Sequence, residues 1–122
     1  MNVINNVQRN IYESLSASYD TCDVPDENAK LPLVRIADMN WEKHTEKVFG
    51  IKCYNIRQEL HIWSNYDGKK EINEMIEDIT EILEGINYGD YNVINNEVIS
   101  AQTIDLEGYK QAILVLDLKI DN

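Results

Sequence analysis

Residues 56–83 read IRQELHIWSNYDGKKEINEMIEDITEIL, and this block decides the fold. Its first part alternates. Ile56, Leu60 and Ile62 fall on one face of a strand, with Arg57, Glu59, His61 and Trp63 on the other. The polar run SNYDG (64–68) then turns the chain, with Ser64 or Asp67 placed to cap the next helix. From about residue 69 to 84 the period becomes helical. Ile72, Met75, Ile76, Ile79, Ile82 and Leu83 form an apolar stripe, while Glu71, Glu74, Glu77, Asp78, Glu81 and Glu84 line the wet side. Gly85 stands where a left-handed residue would end the helix.

Upstream, LPLVRIAD (31–38) reads as a strand with Pro32 at its start, where no ladder hydrogen bond is lost. Val3, Ile4, Val7, Ile11 and Leu15 recur at helical spacing and predict a first helix over 2–17. Between them lies a polar stretch with Pro25, SYDTCDVPDENAK (18–30), expected to be a connecting loop. The charged segment MNWEKHTEKV (39–48) lacks alternation and is read as an extended hairpin arm or a flexible loop. A long strand is expected over 49–64. Ile51 and Cys53 have the wrong parity for its inner face, which points to a bulge or bend near Tyr54.

Downstream, strands are expected over 91–105, with a break at Asn95-Asn96, and over 109–120. In the second, Ala112, Leu114, Leu116, Leu118 and Ile120 alternate with Gln111, Asp117 and Lys119. Ile113 and Val115 make its middle apolar on both faces, as in a central strand. The short turn Leu106-Glu107-Gly108 makes the two strands antiparallel. The expected fold class is α+β: a four-stranded, mostly antiparallel sheet with two helices packed on one face, in the order α-β-β-α-β-β. At 122 residues and 43% hydrophobic content, one domain over 1–122 is expected.

Chemistry is sparse. The net charge of −11 is the reverse of the balance found in nucleic-acid binders. It serves solubility, or makes a surface that repels or imitates DNA. Cys22 and Cys53 form neither a disulfide framework nor a zinc spacing. The opening MNVINNVQRN has no basic region followed by an apolar run, and no apolar segment reaches bilayer length. A soluble chain without membrane association is therefore expected. His44 and His61 read as solvated or interface histidines, and no nucleophile elbow accompanies His61 and Glu59. The five glycines are isolated, so no phosphate loop exists. Asp20, Asp23, Asp26 and Glu27 lack calcium-loop spacing and read as a solvated turn. Neither enzyme activity nor a cofactor is expected. Aromatic residues in polar company stand out instead: Trp41, Tyr54, Trp63, Tyr66, Tyr88 and Tyr91, of a type enriched at interfaces. Trp41 is covered either by a neighbouring subunit or by its own sheet.

The block LPLVRIAD followed by ELHIWSNYDGKKEINEMIEDITEIL resembles the tail terminator, or tail-to-head joining, family of long-tailed bacteriophages. The match runs through Leu31-Pro32-Leu33-Val34, the aromatic-Ser pair Trp63-Ser64 and the acidic-Gly turn Glu107-Gly108-Tyr109, and covers nearly the whole chain. It departs at Leu33, where an aromatic is common, and in a less glycine-rich 18–30 loop. These departures leave room for a cousin, such as a head-tail connector or another minor tail component. The resemblance implies a virion tail protein assembled in the host bacterial cytoplasm. Its partners would be five further copies in a hexameric ring, the tail tube protein and the head connector or stopper, with DNA passing through unbound. Ring contacts are heterologous and need complementary patches. Candidate interface residues are the basic Arg35, Lys43, Lys47, Lys52 and Arg57, the aromatic Trp41 and Trp63, and the acidic Glu74, Asp78 and Glu81, with one copy's basic half meeting its neighbour's acidic helix. Acidity alone also fits a DNA-mimic inhibitor of a nuclease or repressor.

Overall fold

The computed structural model describes residues 2–24 and 29–121. Helix α1 spans Val3–Ser16, with Asn2 capping it by accepting a hydrogen bond from the Asn5 amide at 3.1 Å. Five strands and a second helix complete the chain: β1 Thr21–Cys22, β2 Leu33–Thr45, β3 Lys52–Ser64, β4 Asn92–Leu106 and β5 Tyr109–Asp121, with α2 at Lys70–Glu84. The sheet order is β1-β2-β3-β5-β4. All neighbours are antiparallel except β1 with β2. The class is α+β, with five strands rather than four. The extra one, β1, arises inside the expected loop, where Thr21 and Cys22 pair in parallel with Val34 and Arg35. Two residues carry no periodicity from which a strand could be read.

β5 is an interior strand, flanked by β3 and β4, in keeping with its two apolar faces, while β3 holds the middle of the sheet. It pairs with β3 without a break from Cys53↔Asp121 to Ser64↔Lys110. Ala112, Leu114, Leu116, Leu118 and Ile120 point to the helices together with Tyr54, Ile56, Leu60 and Ile62, and all are buried. Val3, Val7, Ile11 and Leu15 of α1 and Ile72, Met75, Ile79 and Leu83 of α2 close the same cluster. Truncating any of these large side chains to alanine opens a cavity costing about 2–5 kcal/mol. Among the described residues no helix is long and apolar enough to cross a membrane.

The bulge expected near Tyr54 lies instead in the partner strand. Ile36 pairs with Leu60 and Met39 with Gln58, so Ala37 and Asp38 together oppose Glu59. Tyr54 itself is in phase with Ile56. Gln58 is fully buried on the helix side, and its Nε2 donates to the carbonyls of Ala37 (3.0 Å), Asp38 (3.2 Å) and Glu59 (2.9 Å). Gln8 of α1 donates to its Oε1 at 3.2 Å. Past the bulge, residues 39–45 continue as strand, so the extended-arm reading of 39–48 holds as far as Thr45. The strand expected from residue 49 begins at Lys52.

Two helix-end expectations are corrected. The α2 N-cap is Lys69, with no side-chain cap bond; Ser64 instead donates its hydroxyl to Glu71 at 2.5 Å and accepts the Tyr66 amide at 3.1 Å. Gly85 ends α2 at φ −97°, not in the left-handed region, because its amide bonds Glu81 and Ile82 and simply tightens the last turn. The break expected at Asn95-Asn96 is a pair of register shifts, at Val93/Asn95 and Val98/Ser100, in an otherwise continuous β4. The Glu107-Gly108 turn is as expected, with Gly108 at φ +84°.

Replacing Gln58 by leucine keeps the volume but strands the bulge carbonyls, so urea unfolding should show a loss of about 1–3 kcal/mol. Tyr88 is buried, its hydroxyl has no hydrogen-bond partner among the described residues, and burial holds its pKa well above the ordinary tyrosine value. Its folded-state pKa is raised, so stability should be undiminished at neutral pH and fall as pH climbs beyond the ordinary value of about 10. Tyr88→Phe should be no less stable than the parent at pH 7 and should lose less stability between pH 9 and 11, as read by urea unfolding at each pH.

Candidate functional site

The ten candidate interface residues fall on three separate surfaces. Arg35, Arg57 and Trp63 lie on the sheet face away from the helices, as the alternation of β2 and β3 dictates. Trp41 and Lys43 share the helix-side parity of Tyr54 and Ile56, because the bulge shifts β2 by one residue. With Lys47 and Lys52 they border the β2–β3 hairpin. Glu74, Asp78 and Glu81 lie on the exposed side of α2.

The basic half of the chain is thus not one patch. Arg57 pairs with Asp117 of its own β5 at 3.4 Å, and Arg35 donates through Nε to the Asp23 carbonyl at 3.0 Å. Lys43, Lys47 and Lys52 are exposed and pair with no acid among the described residues. The acidic row is divided too. Asp78 accepts the Tyr19 hydroxyl, Glu84 accepts the Val98 amide at 2.9 Å and Glu71 accepts Ser64. Glu74, Glu77 and Glu81 face solvent. Trp41 is 49% exposed, with its ring 6.3 Å from that of Tyr54.

The feature that alternation did not reveal is the hairpin tip. The last β3–β5 pair is Cys53↔Asp121, so the turn of residues 46–51 stands clear of the sheet. It is firmly built. The Glu46 carboxylate accepts the amides of Val48 (3.0 Å) and Phe49 (2.7 Å), the Gly50 amide donates to the Glu46 carbonyl (2.9 Å), and the Glu46 amide donates to the Ile51 carbonyl (2.7 Å). Gly50 sits at φ +68°, a conformation that needs glycine. This ordered turn holds Val48 at 78% exposure and Phe49 at 79%, with Ile51 beside them. An ordered apolar cluster in water is characteristic of a contact surface. The signal in the sequence was Val48-Phe49 directly before Gly50, an apolar pair at a turn glycine.

The open sheet face carries the only histidine pairing with a carboxylate among the described residues: His61 Nε2 lies 2.7 Å from Glu59, and its ring meets Trp63 edge-on at 5.8 Å. Ser64 points to the opposite face, and Ser100, on the same face, is two strands away, about 10 Å. Cys22, in register with Arg35 and so with His61, is likewise two strands away, and among the described residues neither it nor these serines is adjacent to His61. Among the described residues no group of three or more His, Cys, Asp or Glu is placed to hold a metal. Asp26 and Glu27 of the acidic loop, and Pro25, lie outside the described residues. A concavity of about 660 Å³ between α1 and the β2 bulge is lined by Arg9, Arg35, Asp23 and Asp38, whose charges offset one another.

The fold has a counterpart among solved structures. A chain of the virion of a native gene transfer agent (GTA) particle superposes with a TM-score of 0.77, covering 98% of this chain and 98% of that one, at 10% identity. The fold is shared end to end. No protein-family model and no curated protein matches the sequence. At this identity the likeness speaks for the architecture and leaves the side chains of the tip and of α2 to be read on their own terms.

Glu46→Ala should loosen the tip without unfolding the domain. Amide exchange at Val48 and Phe49 should quicken at least tenfold, while that of Leu114 and Leu116 stays unchanged.

Proposed function

We propose that this chain is a structural protein of a phage-like virion. It caps the tail tube as a hexameric ring, ends tube polymerisation and offers the docking face for the head connector. The supporting observation is the coincidence of fold over 98% of both chains with a virion chain. The order of sequence motifs that resembles the tail terminator family agrees with it.

Its mode of action on this reading is binding, not catalysis. Subunits meet through heterologous contacts, tip and edges against a neighbour, as ring closure requires. The charge of −11 per copy, multiplied around a channel, repels phosphate and keeps passing DNA from adhering. The protein then resides in the tail of the virion after assembly in the bacterial host. A DNA mimic would need an uninterrupted row of free carboxylates. With Glu71, Asp78 and Glu84 engaged within the chain, α2 favours the structural reading.

Electron microscopy of particles made with the gene disrupted tests the proposal. Tails of unregulated length and heads without tails are expected. Intact joined particles from the disrupted strain would overturn it.

A further inference from the structure

We infer that the apolar tip of one copy docks on the β4–β5 corner of a second copy, through Val48, Phe49 and Ile51 against Val93 and Ile94, and through Lys47 and Lys52 against Asp90 and Asp121. The inference deepens the proposed ring and rests on it only for the number of copies.

The tip and the corner are matched in chemistry. Val93 and Ile94 are 40% and 54% exposed, although Val93 has the inward parity of its partner Ile120. α2 stops short of that end of the sheet, its last residue Glu84 lying at the level of Val98. Asp90 is exposed just before β4, and Asp121 pairs in register with Asn92. The corner therefore presents two apolar side chains beside the Asp90 carboxylate, with the half-buried Asp121 carboxylate, which accepts the Asn92 side-chain amide at 3.4 Å, on the open face of the same corner. The tip presents three apolar side chains flanked by two lysines that have no acidic partner of their own among the described residues. In a chain of net charge −11, lysines beside exposed apolar groups are where a second copy can be met without repulsion.

The two surfaces also lie where a closed ring needs them. The tip leaves the sheet on its β2–β3 side and the corner on its β4 side, so a copy cannot fill its own corner, about 10–15 Å away across the strands. Both sit at the same end of the strands, next to the Cys53↔Asp121↔Asn92 row. Contact between equal levels on opposite sides propagates by rotation about an axis along the strands. The exposed carboxylates of α2 do not share that level. Glu84 is bonded to Val98, which pairs with Leu116, five residues up β5 from Asp121, or about 17 Å. Glu81, Glu77 and Glu74 lie higher still, so a tip docked on them would step upward at each copy. The occupant meets β4 through side chains and not by adding a strand, because the Val93/Asn95 shift interrupts the edge ladder at that place.

Zero-length amine-to-carboxylate cross-linking of an equimolar mixture of light and 15N-labelled chain, at millimolar concentration and in purified particles, tests the contact. Mixed-isotope links from Lys47 or Lys52 to Asp90 or Asp121 are expected. Phe49→Ser and Ile94→Ser should each reduce them at least tenfold with unchanged circular dichroism. Lys47→Glu with Lys52→Glu should abolish self-association in sedimentation velocity, and mixing that variant with Asp90→Lys/Asp121→Lys should restore it. Links to Glu74, Glu77 or Glu81, links only to another virion protein, no links in either preparation, or failure of the charge-swapped mixture would overturn the inference. Absence of the chain from particles would refute the virion role, and the free chain would then decide the contact alone.

Discussion

One buried amide governs which way the outer half of β2 faces. Strand alternation has a period of two, so without a bulge Asp38, Asn40 and Glu42 would join Val34 and Ile36 on the helix side. The extra residue opposite Glu59 reverses that phase and turns Met39 and Trp41 inward, with Asn40 and Glu42 outward. A bulge leaves backbone carbonyls without ladder partners, and burying them unpaired is costly. Gln58 meets that need with Nε2 and anchors α1 through Gln8 with Oε1. Core, first helix and the hairpin leading to the tip therefore all depend on one side chain.

The surface chemistry derives from that frame. Helices cover one face of the sheet only, so the other face, the hairpin and the two sheet edges remain for contacts. Intramolecular bonds then quiet much of the remaining charge: Arg57 by Asp117, Lys110 by Asp105 at 3.1 Å, and Asp78 by Tyr19. Among the exposed lysines, Lys43, Lys47 and Lys52 border the apolar tip while Lys30, Lys69, Lys70 and Lys119 stand elsewhere, and Glu74, Glu77 and Glu81 line the outer side of α2. The asymmetry seen along the sequence thus becomes one between particular places on the molecule.

Much of the scaffold was legible in the sequence because it rests on periodicity. The stripes of α1 and α2, the alternation of β3 and the two-faced apolar middle of β5 all emerge in the structure where the pattern put them. What was not legible depends on partners distant in sequence. Ala37 and Asp38 carry no glycine or proline to announce a bulge, and Gln58, a polar residue in an inward position, acquires its meaning only from carbonyls some twenty residues away. The short parallel strand at Thr21 exists only because β2 offers an edge. Val48 ends the charged 39–48 segment and Phe49 opens the expected strand, so the boundary divides the apolar pair, and only the glycine after them marks a turn. The candidate basic patch divided because sequence proximity does not say which side chains are already engaged.

The clasp that Glu46 forms around the tip has a kinetic consequence. A recognition loop that must fold on its target adds an ordering step to every encounter, and many productive collisions are lost. Here the turn geometry exists before any partner arrives, so capture is limited by diffusion and orientation, and differences in affinity emerge as differences in residence time. For an assembly component, timing would then be set by when the complementary surface becomes accessible, not by slow maturation of the tip.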